Sequence, residues 1–176
     1  RARPHTHWVL KSPMHLDHLE VLARTFPEAI IVQTHRDPRR TVPSFASMVA
    51  RSRGLFSDHV SPADIGAHWS GRIERMVRRA LAARDGLPEE RFVDVDYSAL
   101  VADPVGAAAL VHRRAGLSWD AGTTAALAAA RERNRRGRYG QHRYDLADFD
   151  LDEATLRERF AGYIERFLAP AAAEAE

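Results

Sequence analysis

The stretch that decides the fold is Ala29-Ile-Ile-Val-Gln-Thr34, followed at once by His35-Arg-Asp-Pro38. The first segment is a continuous run rich in β-branched residues, which is the pattern of a central parallel strand buried on both faces. Asp37 is a good helix N-cap and Pro38 suits a first helical position, so we expect a helix over about residues 38–53. A strand that leads directly into a helix is the repeating unit of an α/β domain.

Two further segments have strand patterns. His7–Lys11 is a short apolar run bounded by polar residues, and it predicts a buried strand that ends at Lys11. Arg91–Tyr97 alternates between apolar and polar residues, which predicts another strand. Helical patterns of ten or more residues separate the three predicted strands, so we expect a parallel sheet packed against helices.

Capping residues, prolines and apolar stripes predict five more helices. They begin at Pro13, Ser61, Asp103, Trp119 and a segment resembling a capping box, Asp150–Glu153. The last is predicted to be one amphipathic helix with Leu156, Phe160, Tyr163, Ile164 and Phe167 on its apolar stripe. Residues 1–170 are thus expected to form one domain, with 171–176 as a frayed tail.

Composition excludes several classes of function. The chain of 176 residues has no cysteine, which removes disulfides, thiolate metal sites, Fe–S clusters and cysteine nucleophiles. Its 26 basic and 24 acidic side chains nearly balance, so non-specific polyanion binding is not expected. Lys11 is the one lysine among 25 arginines, and it stands where the first predicted strand ends.

Ligands of open α/β sheets bind outside the carboxyl ends of the strands, so the residues that follow each strand are the first candidates. Those residues are cationic, hydroxylic and aromatic, which suits a phosphorylated nucleotide. They are Lys11, Ser12 and His15, then His35, Arg36 and Ser44, then Tyr97. We find no carboxylate pair typical of glycosidases and no Gly-x-Ser-x-Gly elbow of an α/β-hydrolase.

Four segments in order resemble sulfotransferases that use 3′-phosphoadenosine 5′-phosphosulfate (PAPS), and the likeness runs from Trp8 to Phe167. Arg36 and Ser44 are eight residues apart, the spacing of the pair that binds the 3′-phosphate in that family. The segments are Trp8-Val-Leu-Lys-Ser-Pro-Met-His-Leu16, Phe26–Pro38 with Ser44, Val95–Pro104, and Arg135-Arg-Gly-Arg-Tyr-Gly140. Gly140–Phe149 in addition looks like the C-terminal stretch of bacterial members.

For the fold, this resemblance implies a P-loop-NTPase-like, three-layer α/β domain with a parallel sheet flanked by helices. The family's first motif, a glycine-containing turn that holds the 5′-phosphosulfate, has no counterpart here, and no glycine precedes Gly54. We therefore expect an N-terminally incomplete chain that lacks the first βα unit. On its own it should be weakly active or inactive, because the turn that helps to hold the transferred group would be missing.

For the site, the resemblance implies that Lys11 stabilises the phosphate that leaves during transfer. Arg36 and Ser44 would bind the 3′-phosphate, and Tyr97 would contact the adenine. A loop containing Arg135, Arg136 and Gly137 would close over the 3′-phosphate. His15 is the provisional general base, although it lies four residues beyond the lysine instead of two, with Pro13 at the closer position.

Each of these residues also has a simpler interpretation. Lys11 could be a surface lysine at a strand end, and His15 could hydrogen-bond locally at a helix start. Arg36 could pair with Asp37 or with another carboxylate. The arginine-rich loop could be solvated or could contact nucleic acid, although few aromatic residues are interleaved with its arginines. Trp69 and Phe92 are expected in the core or in the wall of an acceptor pocket.

The predicted reaction is transfer of a sulfuryl group from PAPS to a hydroxyl or amine of a small-molecule, glycan or lipid acceptor. We expect no metal, because the His5-x-His7 and His15-x-x-His18 pairs lack suitably spaced carboxylates or thiolates. No nucleic-acid partner and no membrane span are expected, and without a signal peptide the prediction is a cytoplasmic location. A catalytically silent nucleotide-binding protein of the same fold and a small-molecule P-loop kinase are the alternatives.

Overall fold

The structure is a computed structural model that describes residues 7–134 and 144–168 of the chain. Its two strands are β1 (Ile31–His35) and β2 (Phe92–Asp96). Its longer helices are α2 (Pro38–Gly54), α3 (Pro62–Asp85), α5 (Pro104–Arg114) and α6 (Ala121–Arg133). The shorter helices are α1 (Leu19–Thr25), α4 (Tyr97–Ala102), α7 (Glu153–Arg159) and α8 (Ala161–Phe167). Short 3₁₀ helices cover Pro13–His18, Glu89–Arg91 and Ala147–Phe149.

The two strands run parallel, as predicted, and pair from Ile31 opposite Phe92 to His35 opposite Asp96. Because side chains alternate between the faces of a strand, this register sorts the residues of the sheet into two faces. One face is packed against α1 and α3, through the core cluster of Leu19, Ala80 and Phe92. That face carries Ile31, Gln33, His35, Phe92 and Asp94.

The prediction that the strand of residues 29–34 is buried on both faces is wrong. Val32 and Thr34 point to the second face and are exposed, whereas Val93 and Val95 beside them are buried. Helix α5 contacts β2, which accounts for the burial of the second strand on this face. Strand β1 is therefore buried through one face, with its second face open among the described residues.

The predicted strand at His7–Lys11 is also wrong. The described part of the chain contains a sheet of two strands, and residues 7–12 form neither helix nor strand. Trp8 is 83% exposed and Val9 is 89% exposed, so the apolar run is not part of the core. An apolar run becomes a strand only where a neighbouring strand hydrogen-bonds to it. Among the described residues β1 and β2 pair with each other, and neither pairs with residues 7–11.

Most helix starts follow the predicted caps. Asp37 accepts a hydrogen bond from the Arg39 amide at 2.8 Å, and Ser61 accepts one from the Asp64 amide at 3.2 Å. The capping aspartate of α7 is Asp152 and not Asp150 as predicted. Asp150 adopts left-handed backbone geometry, with φ of 51°, and ends the preceding 3₁₀ helix, so the helix begins later.

The C-terminal segment consists of two helices rather than the one predicted. The backbone leaves helical geometry at Phe160, where ψ is 15°, and Gly162, a poor helix former, lies two residues later. Helix α7 packs against α2. The buried residues of this contact form a cluster of Val42, Leu156 and Phe160. A second cluster consists of Ala46 on α2, Ile65 on α3 and Phe149.

Candidate functional site

The paired strand ends bring two of the predicted nucleotide-binding residues together. His35 and Asp96 are opposite each other at the end of the sheet, so Arg36 and Tyr97 leave it side by side. The Arg36 guanidinium carbon lies 4.5 Å from the centroid of the Tyr97 ring, a cation–π contact, and both side chains are half-buried. This edge of the sheet thus combines a fixed positive charge with a flat aromatic surface.

Asp37, the neighbour of Arg36, pairs with a different arginine. Both of its carboxylate oxygens accept hydrogen bonds from the Arg39 side chain, at 2.6 to 3.1 Å, and Arg39 also binds Glu153 at 2.7 Å. Burial acts to raise the pKa of Asp37, but the hydrogen bonds from Arg39 outweigh it and lower the pKa. Arg36 forms no ion pair within residues 7–134 and 144–168, so its charge is available to an anion.

Ser44 lies on the second turn of α2, whose first residue comes two positions after Arg36. It is half-buried, and Pro43 beside it is fully buried within the helix. Because proline has no amide hydrogen, the helix lacks one backbone hydrogen bond next to Ser44. In the part of the chain that the structure describes, the Ser44 hydroxyl makes no hydrogen bond, so it can donate to a bound group.

Lys11 and His15 lie on either side of the start of the first 3₁₀ helix. Lys11 is exposed, and Ser12 caps the helix by accepting a hydrogen bond from the Met14 amide at 3.2 Å. His15 is half-buried, and its backbone amide donates to the Ser12 carbonyl at 3.2 Å. Within the described ranges no hydrogen bond or ion pair joins either side chain to Arg36.

An ion pair fixes this 3₁₀ helix against α3. The Asp17 side chain is 1% exposed, and it binds Arg72 as well as Arg79, the latter at 3.3 Å. The segment that carries Lys11 therefore leads into a firmly anchored turn.

The predicted phosphate-binding loop residues Arg135, Arg136 and Gly137 lie outside the described residues, as do His5 and the tail 171–176. Of the two aromatic residues assigned to core or pocket wall, Phe92 is buried in the core. Trp69 is half-buried and packs edge-on against Phe45, with ring centroids 4.6 Å apart.

A charged cluster that sequence reasoning missed includes His35, the residue directly before Arg36. Asp94 on β2 accepts two hydrogen bonds from the Arg84 guanidinium, at 2.6 and 2.8 Å, and one from His35 Nε2 at 2.6 Å. Arg84 also binds Glu89 at 2.7 Å, and its guanidinium lies over the Phe92 ring. Arg84 and His35 are each 2% exposed, so the guanidinium and the imidazole lie in the interior.

Electrostatics within this cluster favour a neutral histidine beside a charged ion pair. Burial lowers the pKa of His35, and its hydrogen bond to Asp94 only partly opposes this effect. The hydrogen bond to Asp94 raises the pKa of Arg84. Burial acts to raise the pKa of Asp94, but hydrogen bonds from Arg84 and His35 outweigh it and lower the pKa. The sequence signal for this cluster is a carboxylate placed centrally in an alternating strand, two residues after Phe92 and therefore on the same face as that core residue.

Two findings concern metals and membranes. Among residues 7–134 and 144–168, no group of three or more histidine and carboxylate side chains is arranged to hold a metal ion. None of the helices in the same ranges combines the length and apolar character needed to cross a bilayer.

Comparisons with known proteins agree with the sheet and its helices. The structure is similar to that of the sulfotransferase STF9 from Mycobacterium avium, with a TM-score of 0.81, 26% identity and 91% of this chain covered. It is also similar to the sulfotransferase STF1 from Mycobacterium tuberculosis H37Rv, with a TM-score of 0.75, 35% identity and 88% covered. The fold is thus the P-loop-like α/β fold of sulfotransferases, as predicted, with a small parallel sheet and many helices.

A sulfotransferase family model matches residues 1–121, which is more than half of the chain. The chain therefore belongs to the sulfotransferase family. No curated protein matches it significantly. The chain corresponds to 41% of the STF9 chain and 39% of the STF1 chain, so it spans about two fifths of their length.

Proposed function

We propose that the protein transfers a sulfuryl group from PAPS to a hydroxyl or amine of an acceptor. The observation that carries this proposal is the placement of Arg36 against Tyr97 at the carboxyl ends of β1 and β2. Ligands of parallel α/β sheets bind at such an edge. The added phosphate of this nucleotide matches an arginine that has no ion pair among the described residues, and its base matches the flat aromatic ring beside that arginine.

Arg36 and Ser44 would bind the 3′-phosphate of the donor. The planar guanidinium can donate two parallel hydrogen bonds to phosphate oxygens, and the Ser44 hydroxyl can donate a third. Support comes from the pairing of Asp37 with Arg39, which leaves Arg36 without an ion pair among the described residues. Tyr97 would contact the adenine, and Arg135, Arg136 and Gly137 stay predicted contacts to the 3′-phosphate.

Lys11 would act during bond breaking. In the proposed step the acceptor oxygen or nitrogen attacks sulfur, and the bond between sulfur and the bridging oxygen breaks. The electron pair of that bond goes to the 5′-phosphate of adenosine 3′,5′-bisphosphate, the leaving group. The Lys11 ammonium would stabilise this negative charge, and its exposed position makes it accessible to a ligand.

His15 is the proposed base that accepts the proton of the attacking acceptor. The neutral imidazole ring has an unprotonated nitrogen that can accept this proton. Its half-buried position within the anchored 3₁₀ helix gives it a defined location. The acceptor is proposed to be a small molecule, a glycan or a lipid, and the cytoplasmic location stays a prediction from sequence.

The test is sulfuryl transfer by the full-length protein from PAPS labelled with ³⁵S in the sulfuryl group, over a panel of phenols, sugars, amines and lipids. We expect labelled product with at least one acceptor class and none when adenosine 3′,5′-bisphosphate competes. Binding of PAPS without transfer to any acceptor would favour a catalytically silent nucleotide-binding protein. Turnover of ATP in place of PAPS would contradict the proposal and favour a kinase.

A further inference from the structure

The Asp17 carboxylate ties the first 3₁₀ helix, Pro13–His18, to helix α3. Its side chain is 1% exposed, so it lies between the two helices and not in solvent. One carboxylate oxygen accepts a hydrogen bond from Arg72, and the other accepts one from Arg79 at 3.3 Å. The two arginines are about two helical turns apart, so they lie on one side of α3. Both oxygens of Asp17 are thus bound by the same helix.

The geometry of the 3₁₀ helix places His15, Leu16 and Asp17 on three different sides. Such a helix has three residues per turn, so successive side chains are about 120° apart. The side that carries Asp17 faces α3 through the ion pairs, and Leu16 packs against the core cluster that contains Phe92. His15 therefore leaves the helix on the remaining side, and two adjacent anchors determine its direction.

Hydrogen bonds within the turn extend this anchoring toward Lys11. The Ser12 hydroxyl accepts a hydrogen bond from the Met14 amide, and the Ser12 carbonyl accepts one from the His15 amide, both at 3.2 Å. These bonds close the turn from Ser12 to His15 on itself. Lys11 directly precedes Ser12, so the orientations of both proposed catalytic residues depend on the position of this turn.

The exposure of the three charged side chains decides what loss of the carboxylate does. The side chains of Arg72 and Arg79 are 31% and 63% exposed, so water can solvate both guanidinium groups when Asp17 is replaced. Removal of the arginines would instead leave a buried carboxylate without a partner, which is far more costly. Leu16 and Leu19 keep their core contacts in either case. We therefore expect replacement of Asp17 to release the turn without unfolding the domain.

We propose that Asp17 is a positioning residue for sulfuryl transfer, acting through the 3₁₀ helix on His15 and Lys11. Arg36 and Ser44, which are proposed to bind the 3′-phosphate, lie on other elements, so Asp17 affects the chemical step and not nucleotide binding. A displacement of about 1 Å at a reacting centre can cost about 100-fold in rate. This inference rests on the proposed function, because it concerns how the proposed base and lysine reach the transferred group.

The test is Asp17→Asn, which removes the charge and keeps the shape of the side chain. In the full-length protein, kcat for sulfuryl transfer from PAPS and affinity for adenosine 3′,5′-bisphosphate are measured for parent and variant. We expect kcat to fall about 10- to 100-fold, while the affinity changes by less than about twofold. General loss of structure would lower both quantities together, so the difference between them isolates positioning.

Two outcomes would overturn the role of Asp17, namely an unchanged kcat in Asp17→Asn and a parallel fall in kcat and bisphosphate affinity. A parent protein that transfers no sulfuryl group to any acceptor would instead refute the proposed function. The two failures are therefore distinguishable, because one concerns the variant and the other concerns the parent.

Glu20→Gln and Ile164→Val are the matched controls. The Glu20 side chain is 79% exposed and lies 4.0 Å from Arg24, so its replacement removes a nearby negative charge without releasing the turn. Ile164→Val lowers stability in a different core cluster. Both variants should keep the parent's kcat. A kcat in Glu20→Gln as low as that of Asp17→Asn would indicate a long-range effect of charge and would overturn the positioning role.

Amide hydrogen exchange provides a second measurement, which does not depend on activity. In the parent, the His15 amide should be protected by its hydrogen bond to the Ser12 carbonyl. In Asp17→Asn it should exchange at least about tenfold faster, whereas amides within β1 keep their rates. Equal exchange of the His15 amide in the parent and in Asp17→Asn would overturn the anchoring on which the proposal depends.

Discussion

The Arg36 guanidinium lies 4.5 Å from the centroid of the Tyr97 ring, although the two residues are far apart in sequence. They meet because the parallel register sets His35 opposite Asp96, one residue earlier in each strand. A ring face attracts a cation and leaves its outward N–H groups able to bind an anion. The sheet itself thus assembles the charge and the flat surface that the proposed nucleotide requires.

Replacing Lys11 should affect the rate of transfer and leave the fold intact. Its side chain is exposed, so Lys11→Ala should not change the urea midpoint of unfolding. If the ammonium stabilises the leaving phosphate, kcat of the full-length protein should fall by about 10²–10³. Lys11→Arg, which keeps the charge in a different geometry, should retain part of the activity. Turnover of Lys11→Ala at the parent's rate would exclude the catalytic assignment.

Ser44→Ala should weaken binding of adenosine 3′,5′-bisphosphate by about three- to tenfold, the usual effect of one hydrogen bond. Binding of adenosine 5′-monophosphate should be unaffected, because the serine is proposed to contact the 3′-phosphate. Ser52, an exposed serine of the same helix, provides the control variant Ser52→Ala. Calorimetric titration measures both affinities, and an unchanged bisphosphate affinity in Ser44→Ala would remove this residue from the site.

Removing Arg84 should destabilise the protein strongly. Arg84→Met leaves the Asp94 carboxylate without its principal partner, a change that typically costs about 3–5 kcal/mol. We expect the free energy of unfolding, measured with urea, to fall by about 3 kcal/mol. The loss is at the lower end of this range because the Asp94 side chain is 35% exposed and water partly screens its charge. The double variant Arg84→Met/Asp94→Asn should recover part of the loss. Additive effects of the two substitutions would contradict the pairing.

Acidification should destabilise the protein in a range set by His35. Its folded pKa is lowered by burial, so between that value and the ordinary pKa of about 6.5 the unfolded chain binds more protons. Stability should therefore decrease as the pH falls below about 6.5. The pKa of Asp94 is also lowered, so its contribution is present above about 3.9 and is lost as the pH falls through its folded pKa.

Urea titrations between about pH 5 and pH 7 separate the contribution of His35 from those of the carboxylates, because carboxylates titrate below this range. His35→Gln should have a shallower pH dependence there than the parent, whatever its absolute stability. His18→Gln, at an exposed position, should keep the parent's slope. Identical slopes in the parent and His35→Gln would show that the buried histidine does not govern the response.

Features governed by neighbouring residues could be predicted from the sequence. The strand at residues 29–34 and its helix follow from β-branched residues, a capping aspartate and a proline, all close in sequence. The cap of α3 at Ser61 follows in the same way. The sequence could not show that His7–Lys11 forms no strand. Strand formation depends on a hydrogen-bonding neighbour and not on the composition of the segment alone.

The site shows the same division. The order of strands and helices indicated that Arg36 and Tyr97 lie at one edge of the sheet, which the structure agrees with. The partner of Asp37 was not readable, because the N-cap geometry turns its carboxylate along α2 toward Arg39. The ion pair of Arg84 with Asp94 depends on how α3 packs over the sheet, which no local pattern encodes.

The central claim is that Arg36 recognises the 3′-phosphate of a nucleotide, and calorimetric titration of Arg36→Ala tests it most directly. The parent should bind adenosine 3′,5′-bisphosphate more tightly than adenosine 5′-monophosphate. Arg36→Ala should lose about 10- to 100-fold in bisphosphate affinity only, as expected for charge-assisted hydrogen bonds. Arg51→Ala, at an exposed position later in α2, should behave as the parent. An Arg36→Ala protein with an undiminished preference for the bisphosphate would contradict the account.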